Sequence, residues 1–169
     1  MPNTFTKIAS VSVGSGGVAS ITFSSIPSTY TDLVVLVSCR SSQSGAFADY
    51  GTIVFNGSSS TFSYKDVYGN GSSAASTGGS VNTIFVYQGN AATASTFGNA
   101  SIYIPNYTSS NNKSFSIDTV VENNGTTGYD ALTAGLWSTA SAITSVGLAP
   151  ASGTWLEYST FTLYGIKNS

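Results

Sequence analysis

The sequence predicts an all-β fold: an antiparallel β-sandwich of the jelly-roll type, built as one domain over residues 1–169. Three observations predict it. Short β-prone runs alternate with Gly, Ser, Asn and Pro clusters, giving about eleven strands at the spacing of a sandwich. No window of about a dozen residues carries the 3.6-residue apolar period of a helix, and the strong helix formers Glu, Lys and Leu are scarce. The chain is 41% hydrophobic and 12% aromatic over 169 residues, enough to build a core without disulfides.

The elements follow in chain order. Residues 5–13 and 18–23 read as two strands joined by Gly14-Ser15-Gly16-Gly17, with Ile8, Val11 and Val13 and then Ile21 and Phe23 in rough period two. Ile26-Pro27 marks a turn, and 32–39 is the next strand. Its run Leu33-Val34-Val35-Leu36-Val37 is apolar at every position, which predicts a central strand covered on both faces. The alternative is an outer face that meets a partner. Ile53-Val54-Phe55 stops at Asn56-Gly57, and 64–68 stops at Asn70-Gly71, dipeptides that accept positive φ. Residues 70–80, rich in Gly, Ser and Ala, read as a loop. Strands resume at 83–87, 97–104 and 114–122, the last with Phe115, Ile117, Thr119 and Val121 on one face and Ser114, Ser116, Asp118 and Glu122 on the other. Asn124-Gly125 turns the chain into 129–137, the clearest hairpin. Runs at 142–148, closed by Pro150, and at 155–166 complete the fold.

Charge narrows the function classes. Only 7% of residues are charged, and Ser plus Thr outnumber Asp, Glu, Lys and Arg by 52 to 12. Hydroxyls and amides therefore solvate the surface, and a net charge of -2 gives little self-repulsion, which suits a component of an assembly. Five basic residues cannot form a phosphate-neutralising stripe, so no nucleic-acid partner is expected. The longest apolar run, at 33–37, is too short to span a bilayer. The first seven residues lack a basic region followed by an apolar stretch, so no signal peptide and no membrane partner are expected. Cys39 stands alone, hence no internal disulfide, and reads as a small buried hydrophobe.

The chemistry of the side chains argues against an enzyme. The chain has no histidine, which removes the commonest general base and most transition-metal sites. Gly14-Ser15-Gly16-Gly17 lacks the lysine and helix of a phosphate cradle. Glycoside hydrolysis needs only two carboxylates, and Asp118 with Glu122 is the pair to test. Four strand residues separate them by about 13 Å, whereas such carboxylates work about 5 to 9.5 Å apart. Asp118 and Asp130 come nearer across the hairpin but read as solvated acids. No EF-hand-like spacing supports a calcium site. Catalytic, cofactor and metal residues are therefore expected to be none. The acceptor-like tripeptides at Asn56, Asn70, Asn106 and Asn124 follow from composition alone.

Ten Tyr, nine Phe and two Trp remain as binding resources. Phe23, Phe55, Phe115 and Phe161 fall within strands and read as core. Phe47, Tyr50, Tyr107, Tyr129 and Trp155 fall at or near turns, and are the candidates for an interface or for stacking on a glycan.

The chain as a whole resembles small all-β virion structural proteins of tailed bacteriophages, especially phages of marine and freshwater bacteria and cyanobacteria. The resemblance runs through residues 5–13, Ile21-Thr22-Phe23-Ser24-Ser25-Ile26-Pro27, Tyr30-Thr31-Asp32-Leu33 and Phe55-Asn56-Gly57. It continues through Ile102-Tyr103-Ile104-Pro105-Asn106-Tyr107, Ala134-Gly135-Leu136-Trp137 and Ala142-Ile143-Thr144-Ser145. Pro150-Ala151-Ser152-Gly153 and Phe161-Thr162-Leu163-Tyr164-Gly165-Ile166 close it. These are structural punctuation, and they carry over no functional residues. The resemblance implies a place in a virion, reached after synthesis in the host cytoplasm. The leading expectation is a capsid decoration or cement protein that binds the major capsid protein as a homo-oligomer, a trimer at local three-fold axes. Val34 and Leu36 would then be subunit contacts. The alternative is a tail- or fibre-associated domain that recognises a host cell-surface glycan through the loop aromatics.

Overall fold

A computed structural model describes residues 4–125 and 127–167. The chain start on which the signal-peptide reading partly rests, and Thr126 of the Asn124 tripeptide, lie outside the described residues. The strands are β1 (Phe5–Ser12), β2 (Ile21–Phe23), β3 (Asp32–Cys39), β4 (Ala48–Phe55), β5 (Phe62–Gly69) and β6 (Ala74–Gly79). They continue as β7 (Thr83–Gln88), β8 (Gly98–Ile104), β9 (Lys113–Glu122), β10 (Gly128–Trp137), β11 (Val146–Pro150) and β12 (Thr160–Ile166). They form two antiparallel sheets packed as a sandwich. One has eight strands in the order β1-β12-β3-β8-β9-β10-β5-β6, the other four in the order β2-β11-β4-β7.

The period-two patterns set which side of each strand faces inward. β9 alternates buried and exposed residues along its whole length, and β10 does so from Asp130 to Trp137. Their inward residues join one hydrophobic cluster with those of β3, β8 and β12. Phe55 of the small sheet is its hub, with ring centroids 5.4 Å from Phe62, 5.4 Å from Phe115 and 5.5 Å from Trp137. Gly135 permits this packing, because a Cβ there would overlap the Phe115 ring. Cys39 is buried, and burial pushes its thiol pKa up.

Several expectations need correction. Residues 70–80 are not all loop, since 74–79 form β6 on β5. Its sequence, Ala-Ala-Ser-Thr-Gly-Gly, has no apolar alternation, and the pairing rests on backbone hydrogen bonds. β3 lies mid-sheet, but the second layer covers only its inner side, Leu33, Val35 and Val37. On its outer side Val34 sits between Tyr103 and Tyr164 of the neighbouring strands and is buried, whereas Leu36 is exposed. The strand expected at 18–23 is confined to β2, with Val18 making a lone bridge to Trp155. Similarly β11 and β12 begin later than expected, at Val146 and Thr160, and Pro150 belongs to β11 as its last residue. β4 begins earlier than expected, at Ala48.

Two of the five basic residues are interior. The Arg40 guanidinium donates to the carbonyls of Thr93 at 2.8 Å, Ala92 at 2.9 Å, and Thr96 and Asn90 at 3.1 Å, fastening the loop between β7 and β8. Lys113 Nζ donates to the carbonyls of Ser109 at 2.7 Å, Ser141 at 2.9 Å and Asn111. Desolvation lowers the pKa of both side chains, and carbonyl dipoles take the place of a counter-ion. Neither cation is available to a partner.

Candidate functional site

The cross-strand registers align the outward side chains of the eight-stranded sheet in rows. One row runs Gly78, Lys65, Ala134, Ser116, Tyr103 across β6, β5, β10, β9 and β8. The next runs Ser76, Val67, Leu132, Asp118, Ser101 across the same strands, and continues to Leu36 on β3. These rows line a cleft of about 850 Å³ on the outer face. Small residues at Gly78, Ala134, Ser116 and Ser101 line it, together with Tyr103, Leu132 and Val67.

The face is unusually apolar. Among the described residues, large hydrophobic side chains stand exposed at Phe5, Leu36, Val67, Tyr103, Val120, Leu132 and Leu136, all on this face, and elsewhere only at Val18, Val81 and Tyr158. Leu132 is 65% exposed and Val67 is 63% exposed, side by side on adjacent strands. Exposed aliphatic side chains gathered on one sheet face, with Leu132 and Val67 adjacent, are a feature of surfaces that pack against something.

The polar chemistry of the cleft is sparse. Lys65 lies across β6, where a Cβ at Gly78 would collide with its stem. Asp118 stands opposite Ser101 on one side and Leu132 on the other. Tyr103 donates its hydroxyl to Asp32 Oδ2 at 2.9 Å. That hydrogen bond, with burial and the carboxylate charge, holds the Tyr103 pKa above its usual value. Asp130 is turned onto the Gly69 amide at 3.2 Å. Glu122 Oε2 accepts from the Asn124 amide at 2.7 Å, and shares the outer face with Asp118. Among the described residues no group of three or more His, Cys, Asp or Glu side chains gathers in a metal-binding arrangement.

The five aromatics singled out from sequence are scattered. Trp155 is fully buried, its Nε1 donating to the Leu148 carbonyl at 3.3 Å and its ring 4.9 Å from Tyr87 and 5.4 Å from Phe161. Tyr107 is fully buried as well, its hydroxyl donating to the Pro27 carbonyl. Neither can stack on a ligand, and their reading as contact residues is corrected to core. Each has its polar tip satisfied internally, which lets an aromatic beside a turn point inward. Tyr50 and Tyr129 do come together, hydroxyl to hydroxyl at 2.8 Å, and Tyr68 stacks on Tyr129 at 5.1 Å. Burial first, then the bond to Tyr50, push the Tyr129 pKa up. Phe47 is half-buried just before β4, away from the cleft lining.

Sequence reasoning missed Val67, Leu132 and Tyr103. The signal was present: Leu132 and Leu136 sit at the outward positions of an alternating strand, where a polar residue is the norm for a solvated face.

No family model, no curated protein and no solved structure matches this chain.

Proposed function

We propose that the chain is a non-enzymatic structural protein of a tailed-bacteriophage particle. In this reading it decorates the outside of the capsid and docks on the major capsid protein through the outer face of the eight-stranded sheet. The observation that carries the reading is the concentration of exposed aliphatic side chains on that one face, Leu132 and Val67 foremost. The resemblance of the chain to virion structural proteins supplies the particle.

The strand order also supports reading the sandwich as a jelly roll. With β5–β6 and β9–β10 set aside, the remaining strands lie in the orders β1-β12-β3-β8 and β2-β11-β4-β7. Numbered in sequence these become 1-8-3-6 and 2-7-4-5, which is two nested Greek keys. The two hairpins set aside are insertions that widen one sheet, and they carry most of the cleft.

A second reading, a tail- or fibre-associated domain recognising a host glycan, is favoured by the cleft itself. Ser76, Ser101, Ser116, Asp118 and Lys65 offer hydrogen bonds to sugar hydroxyls beside the Tyr103 ring. Immunogold labelling of intact particles with antibody to the recombinant chain separates the two. Gold over the head supports capsid decoration. Gold confined to the tail overturns it in favour of the glycan reading, and particles without label overturn both.

A further inference from the structure

We propose that β6 is a self-pairing edge, through which two copies of the chain join their eight-stranded sheets into one continuous sheet about a two-fold axis. The inference does not depend on where in a particle the protein sits.

Among the described residues β6 is hydrogen-bonded to β5 alone, and Ala74 to Gly78 are exposed, so both of its faces and its outer edge are open. It buries almost nothing and contributes little to the core. What it offers is a bare six-residue backbone edge without charge or proline. The other edges of the sandwich are blunted. β1, at the far edge of the same sheet, carries Lys7 and a register break between Lys7 and Ala9. β2 has only three residues. β7 is paired irregularly to β4, and at Gln88 it is bridged to Arg40. Charged residues, bulges and shortness are how sheets prevent edge-to-edge association, and β6 has none of them.

The direction of the open groups can be read from one bond. The Thr77 amide points at β5, donating to Asp66 Oδ1 at 3.1 Å. Successive strand residues direct their N–H and C=O to opposite sides, so Ala74, Ser76 and Gly78 direct theirs to the open edge. An antiparallel copy centred on Ser76 satisfies them reciprocally: Ser76 with Ser76 of the second copy, Ala74 with Gly78, and Gly78 with Ala74. The side chains brought opposite are small, and no like charges meet. Residues related by a two-fold axis perpendicular to the sheet share its face, so both outer faces stay on the same side. The row through Ser101, Asp118, Leu132, Val67 and Ser76 then continues into its own copy. Each cleft gains a second cleft across the axis, and a bivalent docking surface results.

The test is sedimentation velocity of the full chain across a concentration series, with hydrogen exchange resolved by residue. A dimer is expected, with the Ser76 and Gly78 amides becoming protected as concentration rises. Ser76→Pro removes a donor that faces away from β5, so the fold should persist while the dimer is lost. Ser76→Lys places like charges opposite each other and should also yield monomer, which covers the case in which the proline variant fails to fold. A wild-type chain that stays monomeric at its highest soluble concentration overturns the proposal. So does a trimer, or a dimer that survives in Ser76→Lys.

Discussion

The two faces of the eight-stranded sheet are built by the same strands, one residue in two to each side, yet they do different work. On the inner face Phe62, Phe115, Ile117 and Trp137 meet Phe55 of the second layer and vanish from solvent. On the outer face Leu36, Val67, Val120, Leu132 and Leu136 are comparably apolar but have no second layer. The inner set follows from the need to bury a core. The outer set has no facing layer among the described residues. In the proposed function, these outer residues meet the capsid. The same contrast holds for the two sheet edges, where β1 is guarded by Lys7 and a bulge and β6 is bare.

The contrast is broken most severely at Phe55. Phe55→Ala removes the ring on which three inner-face aromatics converge and should cost about 3–5 kcal/mol, read by urea denaturation. A loss below about 1 kcal/mol would mean that the inner face is loosely packed.

Arg40 comes next. Replacing it with Met keeps the stem but removes the donors to the carbonyls of Asn90, Ala92, Thr93 and Thr96, of which the bond to Ala92 is buried, at an expected cost of about 2–3 kcal/mol. Amide exchange over 89–97 should quicken well before global unfolding. Unchanged exchange there would show that the loop holds itself.

Tyrosine ionisation differs between the two faces. Tyr64, Tyr87, Tyr107 and Tyr129 have pKa values raised chiefly by burial, whereas Tyr103 on the outer face is raised first by its bond to Asp32. A phenol whose folded pKa lies above its unfolded value of about 10 stabilises the fold fully below that pH, and loses the contribution as pH rises. Stability should therefore not change through these groups until about pH 10, and fall above it. Absorbance titration should show these phenols ionising late. Asp32→Asn should bring Tyr103 down while leaving the others late; if Tyr103 stays late, burial and not the bond is its cause.

The smallest effect on folding is expected on the outer face. Leu132→Ser should change unfolding stability by no more than about 0.5 kcal/mol, because Leu132 is 65% exposed. A large loss would mean that Leu132 holds the fold.

The reading of these elements from sequence succeeded where side chains dictate structure. β3, β9 and β10 were legible because apolar positions recur with period two or fill the strand, and Asn124-Gly125 fixes a hairpin. β6 was not, because nothing in Ala-Ala-Ser-Thr-Gly-Gly prefers a strand until β5 supplies partners for its backbone. Tyr107 and Trp155 misled for a related reason: nearness to a turn does not say which way a ring points, and their hydrogen bonds to Pro27 and Leu148 close only in the folded chain. The cleft was hidden more deeply. Tyr103, Asp118 and Leu132 lie on the consecutive strands β8, β9 and β10, but Lys65 comes from β5, distant in sequence, and only the registers set all four on one stretch of the face.

In the proposed function the outer face docks on a capsid. The most direct test of that docking is co-sedimentation of the recombinant chain with undecorated capsid shells, wild type against Leu132→Asp. The wild-type chain should pellet with the shells and Leu132→Asp, equally well folded, should remain in the supernatant. Wild-type protein left in the supernatant, or Leu132→Asp pelleting as completely as wild type, would overturn docking through this face.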